Sequence, residues 1–136
     1  MVKVLLRLQI LMLVALLAGC GQLSRSGSGD VERAFNSHAT DVQVTGEGTV
    51  SRILSDDRSG SPHQRFILKL ASGQTVLISH NIALAPRIDD LQSGDTVSFS
   101  GEYVWNEQGG LIHRTHRDPR SHLMSGWLQH NGRMYQ

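Results

Sequence analysis

The chain of 136 residues contains a single cysteine, Cys20, and three prolines, and aromatic residues make up only 5% of it. One cysteine cannot form an intrachain disulfide, and it excludes a zinc site built from paired cysteines. The sequence also has no His-Glu-x-x-His motif and no Gly-x-Ser-x-Gly motif. A folded domain must therefore be stable through its hydrophobic core, and two common hydrolase signatures are missing.

An excess of charge of either sign is missing too. The full chain has 13 basic and 12 acidic residues, and without Lys3 and Arg7 of the first 19 residues 11 basic residues remain against 12 acidic ones, a net charge near −1. A nucleic-acid-binding module needs a basic stripe to neutralise phosphates. We therefore expect no nucleic-acid partner.

The first twenty residues have the pattern of an export signal. Lys3 and Arg7 precede a short apolar run from Leu8 to Ala18, too short for a spanning helix. Small residues then lead into Cys20, which resembles the bacterial lipobox, where the cysteine receives a lipid and the signal is cut off before it. We expect residues 1–19 to be a lipoprotein signal peptide and Cys20 to be lipidated. The alternative is an ordinary secretory signal with an incidental cysteine.

A lipidated Cys20 would place the protein in the cell envelope. Several acyl chains hold a protein at a membrane far more firmly than one chain does. Residue 21 is Gly rather than the Asp that retains lipoproteins in the inner membrane of enteric-type bacteria. We therefore expect the periplasmic face of the outer membrane, with residues 20–29 as a flexible tether.

Residues 30–136 are long enough for one small domain. Asp30 can cap a short helix with Val31, Ala34 and Phe35 on one face, and Pro86 to Gly94 predict a second. The alternation of apolar and polar residues predicts strands near residues 42–54, a hairpin over 64–80, strands near 97–105 and 111–116, and a terminal hairpin turning at Asn131-Gly132. This order predicts a mainly β fold, a five-stranded OB-like barrel, with a small open sandwich as the alternative.

Histidine is frequent, and four of the seven histidines lie in the last 24 residues. If the fifth strand stays extended, His116 and Asp118 share one face and His113 points to the other. A zinc or similar divalent ion would suit the set His113, His116, Asp118 and His122. The alternative is that these residues hydrogen-bond backbone groups in a loop-rich end of the barrel.

A second polar group interrupts the predicted hairpin. His63-Gln64-Arg65 begins one strand and His80-Asn81 ends the next, so the two ends lie side by side. Such convergence at the rim of a barrel is what a binding site needs. The alternative is an ion pair of Asp57 with Arg65 and a cap provided by Asn81. The candidate ligand-binding residues are His63, Gln64, Arg65, His80, Asn81, Glu102 and Trp105, although Trp105 also suits a core position.

Several strings together resemble a bacterial family, domain of unknown function 3465. They are His63 to Phe66, His80 to Ile82, Gly101 to Asn106, Gly109 to Pro119 and Gly126-Trp127. The family is known by a His-Trp-Thr-His signature, matched here by His113, Thr115 and His116, with Arg114 in place of the tryptophan. The resemblance implies the organisation of the domain from about Val44 onward and no particular activity.

The sequence favours a non-enzymatic binding or interaction module of the envelope that uses the rim around His63, Arg65, His80 and Asn81. The alternative is a divalent-metal-dependent hydrolase of phosphoesters that uses the cluster from His113 to His122, with Arg117 and Arg120 close enough to hold an anion. A purely structural envelope lipoprotein is a third possibility.

Overall fold

The computed structural model describes residues 29–118, 120 and 124–136. The predicted signal peptide, Cys20 and the tether up to residue 28 lie outside them, as does His122. In the part described, no helix is long and apolar enough to cross a membrane. The elements are helix α1 (Gly29–Asn36) and strands β1 (Val42–Ile53), β2 (His63–Lys69), β3 (Thr75–Asn81), β4 (Thr96–Val104), β5 (Leu111–His113), β6 (Trp127–His130) and β7 (Arg133–Tyr135).

Five strands close into a barrel in the order β1, β2, β3, β5, β4 and back to β1. All neighbours are antiparallel except β3 and β5, which pair in parallel through Leu77–Leu111 and Ile78–Ile112. Strand β1 closes the barrel because its first part pairs with β4 and its last part with β2, with an irregularity between Val50 and Arg52. This closed topology is that of an OB-like barrel, and the predicted mainly β fold is confirmed.

The β6–β7 hairpin extends the barrel. Strand β6 pairs with β4 on the same side as β5, from Val97–His130 to Ser100–Trp127. Asn131 and Gly132 both have positive φ, at 49° and 76°, as a tight hairpin turn of this kind requires. The terminal hairpin predicted from Asn131-Gly132 is therefore confirmed.

The barrel interior holds the apolar residues of the alternating pattern. Strands β2, β3 and β6 bury alternate side chains, whereas β4 buries Phe99, Ser100 and Gly101 in succession. Burial of a large apolar side chain contributes about 1.5–3 kcal/mol. Gly48 allows β1 to pack closely on β2, because a Cβ there would lie 3.0 Å from the Cβ of Leu68. The fully buried apolar residues include Phe66, Leu68, Ile78, Ile88, Val97, Phe99, Tyr103, Ile112 and Leu128.

Two predicted elements differ from the structure. Residues 86–94 form an irregular connection with turns at 89–90 and 93–94 instead of a helix, because the backbone N–H and C=O of Ile88 bond to the Gln64 side chain. Strand β5 ends at His113 instead of His116, because Arg114 has φ of 52° and turns the chain out of the extended conformation.

The topology gives the barrel two distinct ends. The start of β2, the end of β3 and the end of β5 meet at one end, because β3 and β5 are parallel and β2 is antiparallel to β3. Helix α1 lies at the other end, where it precedes β1. It buries Val31 and Ala34, and Phe35 stacks with Trp105 just beyond β4. Side chains from the ends of β2, β3 and β5 can therefore form one site at the barrel end remote from α1.

Candidate functional site

A cleft of about 330 Å³ opens at the barrel end where β2 begins and β3 and β5 end. It brings together residues from the two polar groups that the sequence analysis treated separately. We call it the end cleft, and its lining residues are His63, Asn81, Leu84, His113, Arg114, His116, Asp118 and Met124.

The left-handed backbone of Arg114 explains why the two groups meet. A strand extended to residue 118 would place His113 and His116 on opposite faces. The turn at Arg114 instead places both side chains on the lining of one cleft. The segment is held in place by a bond from the backbone N–H of Gly126 to the carbonyl of His116 (2.9 Å).

His63 and His116 bond to the backbone in the same way. Nδ1 of His63 donates to the carbonyl of Ser61 (2.7 Å), and Nδ1 of His116 donates to the carbonyl of Arg117 (2.8 Å). A neutral imidazole that donates through Nδ1 has an acceptor lone pair on Nε2. Two imidazole acceptors of the end cleft are thus available to a ligand.

His113 and Arg114 share one carboxylate. Nε2 of His113 donates to Oε1 of Glu102 (3.2 Å), and Nε of Arg114 lies 3.7 Å from Oε2 of the same residue. Glu102 faces His113 across the β4–β5 pair. It therefore orients two lining side chains from behind rather than lining the cleft itself.

Asn81 caps the segment after β3, as the alternative interpretation expected. Its Oδ1 accepts from the backbone N–H of Ala83 (2.9 Å). The same side chain lines the end cleft. Its amide nitrogen remains a donor for a ligand.

Gln64 and His80, two candidate binding residues, are buried supports behind the cleft. Gln64 is 2% exposed, and its amide donates to the carbonyl of Ile88 (2.8 Å) and accepts from its N–H (2.9 Å). His80 is fully buried, with Nε2 donating to the carbonyl of Pro86 (3.0 Å) and Nδ1 accepting from the Thr115 hydroxyl (2.7 Å). Burial lowers the pKa of His80, which keeps the imidazole neutral.

Arg65 and Trp105 lie away from the end cleft. Arg65 donates through Nε to the carbonyl of Ser55 (3.0 Å). Trp105 lies at the opposite end of the barrel, where the His38 ring stacks on it with centroids 4.2 Å apart. The core position considered for Trp105 agrees with its packing against the buried cluster.

The alternative ion pair of Asp57 with Arg65 is not formed. Asp57 accepts hydrogen bonds from the N–H and the hydroxyl of Ser59 (3.0 and 2.7 Å), and these bonds lower the pKa of its carboxyl. The neighbouring Asp56 pairs with Arg87 at 3.1 Å.

The predicted metal set is only partly within the described residues. His113, His116 and Asp118 all line the end cleft, whereas His122 lies outside the part described. Among residues 29–118, 120 and 124–136, no three His, Cys, Asp or Glu side chains are grouped so as to hold a metal ion. A metal site completed by His122 stays a prediction.

Several residues of the site give no signal in the sequence. Leu84 and Met124 add an apolar part to the end cleft, but both lie between strands, where no period-two alternation shows which side chains face a site. The pairing of His130 with Asp95 was not predicted either, since the two residues lie 35 positions apart and share no motif. The β4–β6 register that joins them is visible only in the fold.

No curated protein matches the chain. A family model described as Protein of unknown function (DUF3465) matches residues 13–136, nearly the whole length. The resemblance noted from the His113, Thr115 and His116 signature is thereby confirmed, and the chain belongs to the family Protein of unknown function (DUF3465).

Proposed function

We propose that the protein is a lipid-anchored binding module of the bacterial envelope that holds a small ligand in the end cleft. The observation that carries this proposal is the convergence of polar and apolar side chains there. His63, His116, Asn81 and Arg114 line the same cleft as the exposed apolar residues Leu84 and Met124. A few placed polar groups beside apolar surface are typical of ligand sites, and 330 Å³ is near the lower end of their size range, about 300 Å³.

The lining chemistry favours a small organic ligand with hydrogen-bond donors and an apolar portion. The two Nε2 atoms of His63 and His116 accept hydrogen bonds, so they match donor groups such as hydroxyls or amines. Arg114 is half exposed, and its contact with the Glu102 carboxylate is 3.7 Å long, which leaves guanidinium N–H groups for an acceptor on the ligand. Leu84 and Met124 are the surface for the apolar portion.

Fragment binding followed by histidine ring NMR tests the cleft. A library of small polar fragments is added to isotope-labelled full-length protein, and we expect the ring signals of His63 and His116 to shift together. His63→Ala and His116→Ala should each weaken the binding of such fragments at least tenfold. Gln108→Ala, at the exposed turn of the opposite barrel end, is the matched control. Fragments that bind all four proteins equally would exclude the end cleft as the site.

The envelope location is a separate part of the proposal and has a separate test. Its support is the lipobox-like sequence that ends at Cys20 and the polar tether that follows. Mass spectrometry of protein from the native host should show an N-terminal Cys20 carrying acyl chains. Cys20→Ser should leave an unprocessed chain without the lipid mass. An unmodified Cys20 behind an intact leader would contradict the anchor.

A divalent-metal-dependent hydrolase of phosphoesters is the second candidate. The favouring observation is that His63 and His116 each donate Nδ1–H to a backbone carbonyl, an arrangement typical of histidines that bind metal through Nε2. Tagless protein should then contain near-stoichiometric metal that His116→Ala abolishes, together with hydrolysis of a simple phosphodiester. Metal-free protein with unchanged stability in a chelator would leave only the binding module.

A further inference from the structure

A buried histidine lies between two carboxylates of the connection that joins β3 to β4. His130 ends β6 and is 1% exposed. Its Nε2 lies 2.8 Å from Oδ2 of Asp95, and its Nδ1 lies 3.7 Å from Oδ1 of Asp90. Nδ1 is buried and has no hydrogen-bond partner. A buried ring nitrogen without a partner in a native fold requires an explanation, and a bound ion is one.

The partner of Nε2 decides which nitrogen has the lone pair. The Asp95 carboxylate accepts from Nε2 and also from the backbone N–H of Gln92 (2.9 Å). In the neutral ring the proton is then on Nε2, and Nδ1 presents its lone pair toward the Asp90 carboxylate.

The neighbouring cations are already paired with other groups. His130 and Asp90 line a cleft of about 360 Å³, here called the His130 pocket, together with Arg87, Asp89, Asn131, Arg133 and Tyr135. Arg87 binds Asp56 and Asp89, at 3.1 and 3.3 Å. Arg133 lies over the Tyr135 ring, 5.0 Å from its centre. Within the part of the chain that is described, Asp90 therefore forms no ion pair other than the one with His130.

We propose that the His130 pocket binds a divalent cation of the zinc type through Nδ1 of His130 and the carboxylate of Asp90. Bonds of about 2.0–2.1 Å in tetrahedral geometry place two ligand atoms about 3.3–3.4 Å apart. The observed separation is 3.7 Å, and the Asp90 side chain is 68% exposed and free to close the difference. Asp95 completes the arrangement, since metal-bound histidines commonly donate their other ring N–H to a carboxylate.

The ion would tie the connection between β3 and β4 to the end of β6. Asp90 belongs to that connection and His130 to the strand paired with β4. Two protein ligands are proposed and water fills the remaining positions, which agrees with the lack of any group of three ligands in the described residues. The site is separate from the end cleft and does not depend on the proposed ligand there.

Zinc titration of the metal-free full-length chain without an affinity tag tests the site. We expect Zn²⁺ alone to raise the thermal unfolding midpoint and to shift the ring signals of His130. Asp90→Asn keeps the size of an exposed side chain but removes the charge, and should weaken Zn²⁺ binding at least tenfold. Asp89→Asn in the same pocket, where the carboxylate pairs with Arg87, is the matched control and should change the affinity less than threefold.

Variants also separate this site from a metal in the end cleft. His116→Ala should leave the zinc-induced shift of the unfolding midpoint intact. Zn²⁺ binding that survives Asp90→Asn and disappears in His116→Ala would overturn the proposal and would favour the hydrolase candidate. Absence of any zinc effect on His130 signals at millimolar concentration would also overturn it, without bearing on the end cleft.

Discussion

The Thr115 hydroxyl donates a hydrogen bond to Nδ1 of His80 across 2.7 Å, with both residues fully buried. His80 is on β3, and Thr115 belongs to the segment that follows β5. Thr115 also lies between Arg114 and His116, which both line the end cleft. This single contact therefore fixes one wall of the cleft to the barrel.

Thr115→Val keeps the side chain nearly the same size but removes its hydroxyl, and it should destabilise the protein. The substitution leaves Nδ1 of His80 buried without a donor, and an unsatisfied buried polar group costs about 1–3 kcal/mol. Urea unfolding measures the loss. Thr49→Val, at an exposed position of β1, is the control and should change the free energy of unfolding by about 0.5 kcal/mol at most. Equal effects of the two variants would show that the buried bond contributes nothing.

The free energy of unfolding should fall as pH decreases from about 8 to about 5. Burial lowers the pKa of His80, and the nearby His116 and His63 lower it further, whereas the bond to Pro86 acts in the opposite direction. Below the unfolded pKa of about 6.5, the unfolded chain therefore binds a proton that the folded chain does not. As the pH falls below about 6.5, the free energy of unfolding decreases by up to about 1.4 kcal/mol per pH unit for one such group.

His80→Gln isolates this contribution, since an amide can still donate to Pro86. Its urea midpoint should vary less with pH than that of the unaltered protein. The carboxyl pKa values of Asp57 and Asp95 are also lowered, but these groups change the free energy of unfolding only below their usual pKa of 3.8, which is outside the range from pH 8 to pH 5. An unchanged pH profile would assign the effect to another histidine.

Gly126→Ala should displace the segment that forms the cleft wall. A Cβ at residue 126 would lie 1.9 Å from the backbone oxygen of Arg114 and 2.8 Å from that of Ser100. Backbone atoms of two paired segments cannot both yield, so we expect a loss of about 3 kcal/mol or more in calorimetry or urea unfolding. Gly132→Asn is the control, because φ of 76° suits Asn and no atom lies within 4 Å of the new Cβ.

Gln64→Leu should destabilise the fold although it adds apolar volume. The substitution removes both partners of the buried Ile88 backbone, and each orphaned group costs about 1–3 kcal/mol. Hydrogen exchange should show faster opening of residues 86–91. Gln92→Leu, at an exposed position of the same connection, is the comparison. If the Ile88 amide of Gln64→Leu exchanged its hydrogen as slowly as in the unaltered protein, the Gln64 side chain would not be what holds the Ile88 backbone.

The strands could be predicted because alternation records which residues face the barrel interior. Val97, Phe99 and Tyr103 are buried as their spacing predicts. The end of β5 could not be predicted, because Arg114 is not a residue type that signals positive φ. The helix predicted after Pro86 was wrong for a similar reason. The side chain of Gln64, distant in sequence, bonds to the N–H and C=O of Ile88, and the residues around Ile88 do not predict those bonds.

The candidate site was predictable in its parts but not in its assembly. Paired strand ends located His63 and Asn81, and the density of histidines located His113 and His116. That all four line one cleft follows from the parallel pairing of β3 with β5. The burial of Gln64 and His80 was not predictable, since polar residues at a strand end are usually exposed.

Helix α1 and the end cleft occupy opposite ends of the barrel. The described chain therefore enters the barrel at the end remote from the cleft. A group attached ahead of α1 joins the barrel away from Leu84 and Met124, so its attachment point does not itself cover the ligand-binding surface.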